Sequence, residues 1–319
     1  MRLRSASGKV GWMRGVRRAL QIPGMMKRAL ASMIDHDSMN MAQAAAYSAI
    51  VALFPALIVA AALVALLPDV NAFKIAAAEF FDEVLPPNVF PLLTGYFVSS
   101  TTGPDGQPHT TSALVVAGIV SLLGGSGTIA TLMEGLHRAA GVPFRCWGFW
   151  QKRGRSLLLV PLSLLPLAVA SILVVFGRLI TEWVAEHLIV EARPAFFDLA
   201  LAARWTISLA GVVGLSALIY HMGVPQSERT TPRESWVQTL PGAIVATAIW
   251  FLSTLIFGWY VTRVANYSAV YGSLGAGIAL LFWLYLVFLS VLFGAEFNEQ
   301  FHVRPRFRQP GQAESLSGG

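Results

Sequence analysis

The chain has 319 residues, a net charge of +6 and a mean hydropathy of +0.61. Fifty-five per cent is hydrophobic and 13% charged, about half the roughly 25% charge of a soluble domain, which excludes a disordered chain and argues against an ordinary soluble enzyme. A single cysteine, Cys146, excludes an internal disulfide framework and any multi-cysteine zinc or iron–sulfur site.

Residues 1–43 read as a basic cytoplasmic segment. No 7–15-residue apolar core with a small-residue cleavage site follows the first basic residues, so no cleavable signal peptide is expected and the first span serves as a signal anchor. Within residues 12–34, WMRGVRRALQIPGMMKRALASMI, basic and apolar residues interleave around Pro23. That pattern predicts one or two amphipathic helices on the cytoplasmic leaflet, with Arg17, Arg18, Lys27 and Arg28 near anionic headgroups.

A membrane-crossing helix needs about 20 mostly apolar residues. Six stretches qualify, at about 44–67, 112–132, 156–177, 203–222, 239–262 and 273–297. They are continuously apolar, whereas the strands of a β-barrel would alternate over about 10 residues. The fold class is therefore all-α, a polytopic membrane protein with six transmembrane helices plus interfacial amphipathic helices. Eighteen of the 23 lysines and arginines fall on the side that holds both ends of the chain, an asymmetry that predicts an N-in/C-in topology. The spans and their loops form one membrane domain, 44–298, followed by a disordered cytoplasmic tail, 299–319.

The long outer loop carries an acidic amphipathic stretch, NAFKIAAAEFFDEVL, broken by Pro86 and Pro87. A short apolar piece and the turn-rich GPDGQP follow. TEWVAEHLIVEARPAFFDLAL, before the fourth span, reads as another interfacial helix with Trp183, Phe196 and Phe197.

Polar and helix-breaking residues at membrane depth mark candidate sites. Pro55, in mid-span, removes a helix hydrogen bond. Gly124, Gly125, Ser126 and Gly127 either unwind the second span around a ligand or let helices pack closely. The run is not a P-loop, because no Gly-Lys-Ser/Thr follows. Tyr47, Glu134, His137, Arg138, Glu296 and Asn298 all fall near the cytoplasmic boundary. They form either a polar gate or headgroup site, or a set of snorkelling end charges. Glu134 and Arg138 are spaced i,i+4 with the acid first, the favourable order for pairing. Tyr267, Tyr271 and Gly272, with Tyr260, Arg263 and Asn266, lie at the outer boundary. They are belt anchors or the mouth of a substrate path. Gly242 and Ala246 form a small-xxx-small packing pair.

Four strings go further: AAAYSAIVALFPALIV, SLLGGSGTIATLMEGLHRAAGV, LPGAIVATAIWFLSTLIFGWYV and NYSAVYGSLGAGIALLFWLYLVFLSVLFGAEFNEQF. Together they resemble the YihY/BrkB family of bacterial inner-membrane proteins, over about residues 28–302. YGSLGA and GAEFN are the most specific elements. The resemblance implies an inner-membrane location and, as function, the export of a lipid-like or amphiphilic molecule. It directs attention to Glu134, Arg138 and Glu296, which fall in the family's strings. His137 stands where relatives often have Asn, and a histidine, with a reference pKa of about 6.5, opens a pH response there.

Some members of that family carry the label ribonuclease BN. The six histidines here are scattered, with no HxH or HxxxH pair, and no basic, aromatic-interleaved module is present to hold RNA. The expectation is therefore a transporter that is not an enzyme, with no cofactor, no metal and no nucleic-acid partner. Membrane lipids and an amphiphilic substrate are the expected partners, and small-residue faces permit a homodimer. The rival reading is a structural or assembly factor of the envelope.

Overall fold

The computed structural model describes residues 21–65, 109–142, 147–165, 193–224, 236–263 and 274–302. Among them, every regular element is helical. In chain order these are α1 (21–35), α2 (Ser38–Ala65), α3 (His109–Ala139), α4 (149–165), α5 (Arg193–Met222), α6 (Leu240–Arg263) and α7 (Leu274–His302). One 3-10 turn, Trp236–Thr239, leads into α6. Five of the helices are long and apolar enough to cross a membrane, namely α2, α3, α5, α6 and α7.

The helices outrun the apolar cores expected from sequence. α3 continues to Ala139 and α7 to His302. α5 is helical from Arg193, so Phe196 and Phe197 lie on the same helix as the expected fourth span, while Trp183 lies outside the described residues. α4 covers the beginning of the expected third span, and the remainder of that span lies outside the described residues.

Neighbours follow small residues. α2 packs along α3 and α7, α7 along α6, and α6 along α5. Gly124 of α3 faces Ala52 so closely that an added Cβ would lie 2.8 Å from the Ala52 methyl. Gly242 of α6 and Gly294 of α7 meet backbone to backbone, each facing the other's carbonyl oxygen, with Ala246 beside them. This is the close approach that small-xxx-small spacing permits.

Among the described residues of the spanning helices, burial is concentrated at one end. Buried positions there include Ala42, Ala45 and Ala46 early in α2, Leu132, Met133 and Leu136 late in α3, Ala217 and Tyr220 late in α5, Ala243 and Ala246 early in α6, and Leu292, Glu296 and Asn298 late in α7. Gly135 lies against both Met41 and Leu292, and Gly294 against Gly242 and Tyr220, so all of these lie at the same end of the bundle. Towards the other end, α3, α5 and α6 present Val116, Ile119, Trp205, Leu252, Leu255 and Trp259 outward.

Candidate functional site

At the closed end, the corner between α1 and α2 sets the geometry. His36 and Asp37 form the turn, and Asp37 adopts φ 59°. Aspartate tolerates the left-handed region better than most residues, because its short side chain bonds locally. Here its Oδ1 accepts from Asn40 Nδ2 at 2.6 Å. Asp37–Ser38 ahead of an apolar run is a helix-start signature.

This corner carries two polar groupings. In the first, His36 Nδ1 lies 2.7 Å from Glu296 Oε1, and the Ser38 hydroxyl donates to the same oxygen at 3.5 Å. Glu296 is 1% exposed, near the C-terminal end of α7. A buried carboxylate needs such partners, since an isolated charge in a low-dielectric interior is strongly disfavoured. In the second grouping, Arg138 of α3 bridges Asp37 Oδ2 at 3.5 Å and Glu134 Oε1 at 3.2 Å. Lys152 of α4 reaches Glu134 Oε2 at 3.3 Å. Four charges from α3, α4 and the α1–α2 turn are thereby linked.

α3 ends immediately beyond. Gly141 has φ 64°, its N–H bonds the Arg138 carbonyl at 3.1 Å, and the Val142 N–H bonds the His137 carbonyl at 2.9 Å. This is a Schellman cap with glycine where the left-handed residue is required. His137 is buried. Its Nε2–H donates to the Gly223 carbonyl at 3.0 Å, and its ring meets Trp147 edge-on with centroids 4.9 Å apart. The Arg155 guanidinium covers the same indole at 4.1 Å. The histidine therefore ties the ends of α3 and α5 to the start of α4. Nearby, Tyr220 of α5 donates to the Val291 carbonyl of α7 at 2.6 Å. Asn298 Oδ1 accepts from the Gly242 N–H at 3.3 Å, while its Nδ2 is buried without a hydrogen-bond partner.

Of the residues singled out in sequence, Glu134, His137, Arg138, Glu296 and Asn298 come together at this end. Tyr47 does not join the network and is 67% exposed on α2. α2 runs through Pro55 without ending. α3 is also continuous through Gly124–Gly125–Ser126–Gly127, so the unwound arrangement is replaced by close packing. There Ser126 bonds back to the Leu123 carbonyl at 2.8 Å. Tyr267, Tyr271 and Gly272 lie outside the described residues. Sequence reasoning missed His36, Asp37, Ser38, Lys152, Tyr220 and Gly294. Only Asp37–Ser38 carried a readable signal, as a helix cap. Among the described residues, no three His, Cys, Asp or Glu side chains are grouped as a metal ion would need.

The family described as Virulence factor BrkB matches residues 29–317, nearly the whole chain and all of this closed end. The chain belongs to the BrkB family. Like other members, it is an integral membrane protein. It is 28% identical to the ribonuclease-like protein YfkH of Bacillus subtilis over 85% of this chain and 92% of YfkH. It is 26% identical to a UPF0761 membrane protein of Rhodospirillum centenum over 86% of this chain and 56% of that one. A UPF0761 membrane protein of Xanthomonas campestris is 24% identical over 82% of this chain and 57% of its own length. The chain thus spans nearly all of YfkH but little more than half of these UPF0761 relatives. No solved structure matches it.

Proposed function

We propose that this BrkB-family chain is a six-span protein of the bacterial inner membrane, with both termini cytoplasmic, that moves a lipid-like or amphiphilic molecule between its helices. The observation that carries this reading is the closure of one end of the bundle by backbone-close crossings and ion pairs that include a buried carboxylate. A pathway sealed on one side is what one state of an alternating-access cycle requires. The His36–Glu296 contact and the Gly242–Gly294 crossing act as the cytoplasmic gate. In this reading the chain performs no bond-breaking chemistry.

The topology draws support from charge and from chain direction. Arg138, Lys152, Arg153 and Arg155 gather at the closed end, and cytoplasmic ends are enriched in Lys and Arg. α4 starts at this end, beside Glu134, and α5 returns to it at Gly223 after 30 residues, about 45 Å of helix.

Reconstituted protein tests the activity. Vesicles carry a fluorescent phospholipid or lysophospholipid in both leaflets, and an external reductant bleaches the outer one. Transport is expected to make inner-leaflet probe reducible. Bleaching identical to that of protein-free vesicles, under proton and sodium gradients of either direction, overturns the proposal. One observation favours the rival envelope-assembly role: the charges at the closed end already pair with one another, as in a static brace. On that account Glu296→Gln leaves cellular function intact whenever the protein still folds.

A further inference from the structure

α1 has three different sides. At about 100° per residue, Met25, Ala29 and Met33 fall within a sector of about 80°. All three are buried, with Met25 and Ala29 packed in one apolar cluster with Phe297, Phe293 and Phe301 of α7. Gln300 fixes the same side by donating to the Ser32 hydroxyl at 3.2 Å. A second stripe, Ile22, Met26, Leu30 and Ile34, follows the i,i+4 row, which drifts by about 40° per step away from the buried sector. Exposure rises along it accordingly, through 38, 39, 52 and 65%. Gly24, Ala31, Asp35 and Arg28 occupy the third side, and Lys27 stands at the border between that side and the apolar stripe.

A helix facing only protein and water needs two sides. The third here is a continuous apolar edge on an element fastened to the end of a membrane-spanning helix. A lysine at its margin can reach out while its stem stays on apolar surface. The preceding 20 residues carry Arg2, Arg4, Lys9, Arg14, Arg17 and Arg18 and no acid. We infer that α1 is a membrane-docking helix whose Ile22–Met26–Leu30–Ile34 edge sinks into an anionic lipid surface, with Lys27 at the headgroups. Basic segments beside a membrane-spanning helix gain from anionic lipid in this way. The docking stands on α1 itself, and only its assignment to the cytoplasmic leaflet rests on the topology proposed above.

The test uses the full chain with Cys146→Ser, labelled with an environment-sensitive fluorophore at Leu30→Cys, Ile34→Cys or Ala31→Cys. It is reconstituted into phosphatidylcholine vesicles with or without phosphatidylglycerol. Probes at 30 and 34 are expected to shift to the blue, to be quenched by lipid-borne nitroxide and to resist aqueous iodide. The probe at 31 is expected to remain open to iodide. Lys27→Glu is expected to remove the extra shift that phosphatidylglycerol produces. Equal iodide access at 30 and 31 overturns the inference. So does protection at 30 and 34 without nitroxide quenching, which would mean that protein covers the stripe. Sidedness is read separately, by reacting Ala31→Cys in intact cells with a membrane-impermeant thiol reagent. Labelling from outside would refute the leaflet assignment and the topology while leaving the lipid contact standing.

Discussion

Gly242 and Gly258 lie on the same helix, and a methyl group added at each meets opposite surroundings. At Gly242 it would strike the Gly294 backbone and the Asn298 side chain, whereas at Gly258 nothing stands within 4 Å. α7 repeats the contrast, with Gly294 enclosed by Gly242, Tyr220 and Ala246, and Gly277 open. Both helices are thus in backbone contact at the closed end, while further along they meet through side chains, Trp283 Nε1 donating to Thr254 Oγ1 at 3.2 Å and Phe257 lying against Phe282. In a bilayer the hydrophobic effect does not drive helices together, so close packing and polar contacts must hold them. The closed end combines backbone-close packing with ion pairs, whereas the other half of α6 and α7 is held by side-chain contacts such as Trp283–Thr254 and Phe257–Phe282.

The most severe way to challenge this contrast is to add the methyl groups. Gly294→Ala or Gly242→Ala is expected to lower stability by about 1–3 kcal/mol, the usual range for overpacking, because backbone cannot move aside. Gly258→Ala and Gly277→Ala are expected to be neutral or to stabilise by at most about 0.5–1 kcal/mol, through helix propensity. Thermal unfolding in detergent, followed by size exclusion, reads the difference. Equal shifts for Gly242→Ala and Gly258→Ala would dissolve the distinction between the two ends.

Next in size is the His36–Glu296 contact. Glu296→Gln removes a charge-assisted hydrogen bond at a buried carboxylate, with an expected loss of about 1.5–3 kcal/mol. The contact spans 260 residues of sequence. A double-mutant cycle with His36→Gln is expected to show a coupling of about 0.5–3 kcal/mol. Tyr47→Phe, on the exposed face of α2, is expected to stay within about 0.5 kcal/mol of the wild type. Additive effects of the two replacements would mean that α1 and α7 are not joined through this pair.

A third change acts on backbone conformation alone. Gly141→Ala forces a side chain into φ 64° at the end of α3. The left-handed region disfavours such a residue by about 1–2 kcal/mol. Gly141→Asn is expected to recover part of that loss, since asparagine is the usual alternative at such caps. Equal losses for alanine and asparagine would point to crowding rather than conformation.

These sites differ in how far sequence could reveal them. The spans were readable because a run of 20 apolar residues has few other uses. Their full lengths were not. Hydropathy marks where a helix meets hydrocarbon, while α3 runs on to Ala139 and is stopped by the Gly141 cap. Glu134 and Arg138 could be paired from i,i+4 spacing, because a helix places those positions side by side. Glu296 could be marked as costly, but its partner could not be named, since nothing local links it to His36. The glycine run 124–127 admitted two geometries, and only the position of Ala52 on the neighbouring helix decides for packing. Gly294 lies among many small residues of α7, and its partner becomes visible only when α6 is in place.

The smallest expected effect separates the two polar groupings at the closed end. Arg138 and Asp37 are partly exposed, at 35 and 52%, whereas Glu296 is at 1%. Exposed ion pairs contribute about 0.2–1 kcal/mol and weaken with salt. At 1 M salt the screening length falls to about 3 Å, shorter than either Arg138 contact. Arg138→Gln is therefore expected to lower stability slightly at low salt and not at all at high salt. Glu296→Gln is expected to depend less on salt, because the carboxylate is buried even though His36 is 36% exposed. Transport measured on the same variants sharpens the contrast. If Arg138→Gln stops lipid movement while barely changing stability, the arginine acts on the moving headgroup. If it changes neither, the Asp37–Arg138–Glu134–Lys152 chain is a surface brace, and the proposed gate would have to rest on Glu296 and the glycine crossing alone.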